Sequence, residues 1–150
     1  DETAKVGNQE CIVTLDPCKS AGQGFGSATG QYLDICIKFD SRSLTGYGIR
    51  FVRTPDYDHA VEVCLVEYIN GDIRKISTPE RCDIYRRGCR VEMSARGDTI
   101  SAKVSNSNFP DITHTLTSKM PSPNHYGGFH LLHTGSAGAS ATVIKSIMIK

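Results

Sequence analysis

"YLDICIKF" (residues 32–39), "YGIRFVRT" (residues 47–54) and "AVEVCLVEYI" (residues 60–69) decide the fold. In the first stretch Leu33, Ile35, Ile37 and Phe39 alternate with Tyr32, Asp34, Cys36 and Lys38. A period of two places the sets on opposite faces of an extended strand, one apolar and one polar. The second stretch sets Ile49 and Phe51 against Arg50 and Val52, and the third sets Val61, Val63 and Leu65 against Glu62, Cys64 and Val66. Short connections predict that strands 32–39, 46–54 and 60–69 pair as neighbours in one antiparallel sheet. Their apolar sets then share the face turned to a core. The opposite sets share the other face, with Arg50 on the middle strand beside the carboxylates of Asp34 and Glu62.

The pattern continues along the chain. "NGD" at 70–72 turns into "IRKIS", and "CRVEMSA", "DTISAKV", "THTLTS", "GGFHLLHT" and "ATVIKSIMIK" follow. About ten strands alternate with segments rich in Gly, Pro, Asn, Asp and Ser, and no stretch has a helical period with caps. The fold class is all-β, a two-sheet antiparallel β-sandwich or jelly roll. A chain of 150 residues fits one domain spanning 1–150 and buries a core without a metal.

Composition narrows the function classes. A net charge of +1 with dispersed Lys and Arg leaves no nucleic-acid footprint. No apolar run is long enough to span a bilayer. The polar opening "DETAKVGNQE" contains no signal peptide, so the chain reads as a mature protein or an excised module. "GQGFGSATG" has glycines but no following helix, so it reads as a loop rather than a phosphate cradle. "RGD" at 96–98 lies between two strands, where Gly-Asp suits a hairpin turn better than adhesion.

Two cysteine pairs share one spacing, Cys11 with Cys18 and Cys82 with Cys89. No CxxC or finger-spaced His accompanies them, which excludes a zinc site of that kind. The expectation is two disulfides, 11–18 and 82–89, and a secreted, periplasmic or cell-surface location. Cys36 and Cys64 read as buried thiols.

"NHYGGFHLLHTGSAG" (124–138) gathers His125, His130 and His133. On a strand, residues three apart point to opposite faces, so His130 and His133 do not share a metal. His130 goes to the polar face and His133 to the strand's end, and neither a metal nor a cofactor is assigned. Glycosidase chemistry needs two carboxylates flanking one bond. Glu62 and Glu67 fall on opposite faces, and Asp34 and Asp40 lie about 20 Å apart by strand rise. No GxSxG occurs.

Taken together, "YLDICIKFD", "GYGIRFVRT", "CRVEMSARGDTISAKV" and "GGFHLLHTGSAGASATVIKSIMI" resemble the concanavalin A-like (laminin-G-like) jelly roll, in the versions attached to secreted bacterial polysaccharide-degrading proteins. The resemblance covers residues 20–150. It implies two curved antiparallel sheets, with the last strand beside the first part of the chain. It also implies an adjoining catalytic domain in a larger protein. The expected function is a non-catalytic, carbohydrate-binding or accessory module. A glycoside hydrolase-like enzyme and a structural spacer are the alternatives. The expected ligand is an oligosaccharide or polysaccharide, and its candidate contacts are Tyr32, Asp34, Arg50, Glu62 and His130, with Lys38 on the same face.

Overall fold

The computed structural model describes residues 8–17, 30–54, 61–134 and 142–149. Eleven strands are found there: β1 (Gln9–Pro17), β2 (Tyr32–Asp40), β3 (Thr45–Arg53), β4 (Val61–Ile69), β5 (Asp72–Lys75), β6 (Glu80–Arg81), β7 (Cys89–Arg96), β8 (Thr99–Asn106), β9 (His114–Lys119), β10 (Gly128–His133) and β11 (Thr142–Ile149). They form two antiparallel sheets packed as a sandwich. The five-stranded sheet runs β11-β1-β7-β8-β9. The six-stranded sheet runs β10-β2-β3-β4-β5, with β6 also pairing with β4. The last strand lies against the first, as the resemblance implied.

Alternation builds the core. Val13 and Leu15 of β1, Ile35 and Ile37 of β2, Ile49 and Phe51 of β3, and Val63 and Leu65 of β4 point inward. They meet Val91, Val104 and Leu116 from the other sheet, and all are buried. Each such side chain contributes about 1.5–3 kcal/mol on burial. The predicted neighbours β2, β3 and β4 do pair, with Asp34 opposite Arg50 and Arg50 opposite Cys64. Asn70 and Gly71 both take positive φ in the β4–β5 hairpin (49° and 88°), the backbone that "NG" supplies. "RGD" is the β7–β8 turn, and Gly97 has φ 59° there.

One face assignment needs correction. Lys38 takes φ 53° and the register between β2 and β3 shifts between Ile37 and Asp40. This bulge adds a residue and reverses the alternation beyond it. Phe39 therefore leaves the inner face and joins Cys36, Cys64, Val66 and Tyr68 on the outward side of the six-stranded sheet. Lys38, expected on the exposed polar face, is 1% exposed at the bulge.

The expected disulfides are absent from the structure. Cys11, Cys82 and Cys89 are free, buried thiols, and Cys18 lies outside the described residues. β1 is extended from Cys11 to Pro17, an interval of about 20 Å, which no bridge spans. The 82–89 excursion is held without a covalent link. Ile84 and Tyr85 are buried in the core. The Asn106 side-chain amide donates to the carbonyls of Ile84 (3.2 Å), Arg86 (3.4 Å) and Arg87 (3.1 Å). Burial pushes the Cys82 thiol up to about 12 and raises that of Cys89 further.

Candidate functional site

The outward face of the six-stranded sheet carries the predicted residues, and the β2–β3 register brings three of them together. Arg50 donates from Nε to Asp34 Oδ1 at 2.8 Å and from Nη2 to Asp34 Oδ2 at 2.8 Å. The guanidinium also lies over the Tyr32 ring, 3.8 Å from its centroid. A planar cation clamped at two oxygens and stacked on an aromatic face has little freedom left. Burial works against the charged form of Arg50, but the hydrogen-bonded Asp34 carboxylate outweighs it and raises the pKa. Two of the five guanidinium N–H groups serve Asp34, which leaves three for other partners.

Asp34 itself is fully buried. The Tyr68 hydroxyl gives it a third, short hydrogen bond. Tyr68 stands on β4 and Asp34 on β2, so the contact crosses β3. The outward positions of β3 at that crossing are Gly46 and Gly48, which have no side chains to block it. A Cβ on Gly48 would come within 2.7 Å of Cys36 Sγ, and one on Gly46 within 2.7 Å of the Phe39 ring. Burial raises the Tyr68 pKa, and its hydrogen bond to the Asp34 carboxylate adds to the rise. Asp34 thus has donors on both oxygens and acts as the anchor of Arg50 rather than as a ligand contact.

His130 pairs in register with Cys36 and faces outward, while His133 pairs with Leu33 at the exposed end of the strand. The opposite orientation of the two histidines follows the strand alternation. The His130 ring stacks on Phe39, with centroids 4.3 Å apart and planes 10° apart, and Tyr68 meets Phe39 edge-on at 5.3 Å. The bulge at Lys38 makes this stack by turning Phe39 outward. Glu62 is half-buried on the same face, opposite Val52 and Arg81. It makes no hydrogen bond to Arg50 among the described residues. The result is a band of contacts, Tyr32–Arg50–Asp34–Tyr68–Phe39–His130, with Glu62 beside its Tyr32 end.

Tyr68 and Phe39 are the members that sequence reasoning missed, and for Tyr68 a signal was present. Its parity with Glu62, Cys64 and Val66 on β4 was the signal that could have placed it on this face. On the opposite sheet, a shallow groove of ≈ 350 Å³ is lined by Ile12, Glu92, Ser94, Ser101, Lys103 and Met148, among others. Glu10 at its edge is ion-paired to Arg96.

No protein-family model matches the chain, and no curated protein does. Solved structures do. In fold, the chain is similar to part of a GH43 protein and to a CBM2 module. The first is the GH43 protein BlXynB from Bacillus licheniformis, with 11% identity over 95% of this chain and a TM-score of 0.63. Its K247S mutant gives a TM-score of 0.65, also at 11% identity over 95% of this chain. The second is the CBM2 module of the evolved Dit of Lactobacillus casei BL23 phage J-1, with 10% identity over 93% of this chain and a TM-score of 0.59. At such identity the likeness shows the fold alone. The chain spans 27% of the GH43 chains and 58% of the Dit chain.

Proposed function

We propose that this domain is a non-catalytic carbohydrate-binding module of the concanavalin A-like kind, and that it holds an oligosaccharide on the outward face of its six-stranded sheet. One observation carries the reading: Arg50 is fixed in advance by Asp34 and Tyr32, and its other three N–H groups make no hydrogen bond among the described residues. A sugar presents hydroxyl oxygens that accept from such a fork. Because the donor is already oriented, little side-chain entropy is lost on binding. Tyr32, Glu62 and His130 flank the fork as aromatic and polar contacts, and Asp34 positions it. The likeness to a module named for carbohydrate binding supports the same reading. The adjoining catalytic domain and the location outside the cytosol belong to this proposal as well.

Affinity electrophoresis through gels containing a panel of soluble polysaccharides tests it. The wild-type domain should be retarded in at least one gel, and Tyr32→Ala and Glu62→Gln should migrate freely while unfolding as the wild type does. Release of reducing ends from the same polysaccharides would instead indicate an enzyme. No retardation in any gel would leave the face a structural surface.

A further inference from the structure

Arg53 closes β3 three residues beyond Arg50, on the inward side of the strand. It is 2% exposed, yet its Nε and Nη1 are buried without a hydrogen-bond partner among the described residues. Among the described residues no carboxylate pairs with it. Its backbone is well held. Arg53 N–H donates to the Gln31 carbonyl at 2.9 Å and the Gly30 N–H donates to the Arg53 carbonyl at 2.9 Å. Arg53 pairs in register with Val61, whose carbonyl accepts from Cys82 N–H at 2.7 Å. The side chain is therefore presented from a rigid strand end.

A guanidinium stays charged at neutral pH, and a buried charge without a counter-charge is strongly unfavourable. Its planar fork matches a carboxylate with two parallel hydrogen bonds. The neighbouring row on the outward face is Tyr32, Val52 and Glu62, so Arg53 stands at the same end of the sheet as the proposed glycan face. A neutral sugar has hydroxyl acceptors but no negative charge to offset the buried cation, whereas a sugar acid has one.

We propose that Arg53 anchors a carboxylate at this rim of the sandwich, and that the carboxylate is that of a uronate in an acidic glycan. The choice of a uronate rests on the glycan-binding reading, while the carboxylate anchor does not.

Calorimetric titration tests the two parts separately. The probes are glucuronate, glucose and acetate at one ionic strength, then a uronate oligosaccharide and its neutral counterpart. The wild type should bind glucuronate saturably and glucose at least about tenfold more weakly. Arg53→Met should lose most of that preference, and Arg53→Lys should retain part of it. If Arg53→Met does not fold, Arg53→Lys alone should still weaken glucuronate about tenfold, since it removes the fork and keeps the charge. Equal binding of acetate and glucuronate would overturn the uronate assignment. No saturable binding of any carboxylate, or equal affinity in wild type and both variants, would overturn the anchor. The chain also carries Asp56 and Asp58 just after β3. If Asp56→Asn with Asp58→Asn destabilises the domain as much as Arg53→Met while no anion binds, the partner is internal and the proposal falls. Binding of the neutral oligosaccharide in that case would leave the glycan-binding reading intact.

Discussion

Asp34→Asn removes the charge at the centre of the outward band while keeping the shape of the side chain. Asp34 is fully buried and accepts from Arg50 twice and from Tyr68 once. Breaking one partner of a buried ion pair costs about 3–5 kcal/mol, because the remaining charge is left uncompensated. The Arg50 side chain is 15% exposed and keeps its stack on Tyr32, so part of its charge is still solvated. The amide also offers an oxygen to one donor. The cost should fall at the low end, about 3 kcal/mol, which for a domain of this size lowers Tm by roughly 6–12 °C. Urea unfolding at pH 7 measures it. Tyr68→Phe should cost about 1.5–3 kcal/mol, as for a hydrogen bond to a charged group. Asp34→Leu with Arg50→Met should cost clearly less than the sum of the two single changes, since both charges leave together. An Asp34→Asn loss within about 0.5 kcal/mol of zero, the level of an exposed pair, would refute the reasoning.

Other outcomes follow from burial and close approach. Gly128→Ala should destabilise by about 1–3 kcal/mol or prevent folding, because the new Cβ would lie 2.2 Å from the Phe39 carbonyl oxygen, a backbone atom that cannot swing aside. The domain should lose stability in alkali. Burial pushes the Cys11 thiol up to about 11 and that of Cys82 up to about 12, from 9.0. The stability these thiols contribute is therefore complete below pH 9 and falls as pH rises from 9 towards 11–12, by about 1.4 kcal/mol per pH unit for each. Urea midpoints at pH 8 and 10.5 check this, and equal midpoints would contradict it. Thiol titration of the unreduced protein in denaturant should find the five described cysteines free, plus Cys18 if it is also unpaired. A count of two would restore both disulfides and the oxidising compartment they implied.

Much of the sandwich was legible because β2, β3 and β4 alternate cleanly and their connections are short. Register alone placed Asp34 against Arg50, and hairpin chemistry placed Asn70-Gly71 and Gly97. The bulge was not legible. A lysine at positive φ has no sequence signal, since nothing in its side chain favours that conformation over an ordinary strand. Phe39 was therefore counted into the wrong layer, and its stack with His130 went unforeseen. β1 was hidden for another reason. The matched cysteine spacings drew "CIVTLDPC" towards a disulfide, although Cys11, Val13 and Leu15 alternate as strand residues do. Spacing also says nothing about what a turn packs against, and Asn106 with the buried Ile84 and Tyr85 holds the 82–89 excursion unaided. The buried, unpartnered state of Arg53 was invisible, because an arginine at a strand end is normally solvated.

The central claim is that the outward face of the six-stranded sheet receives the glycan. Backbone amide shifts on titration with an oligosaccharide from whichever polysaccharide retards the domain test it most directly. The account predicts saturable shifts clustered at Tyr32, Arg50, Glu62 and His130, with little change across β7 and β8. Shifts centred instead on Glu92, Ser101 and Lys103 would place the site in the groove of the opposite sheet and contradict it.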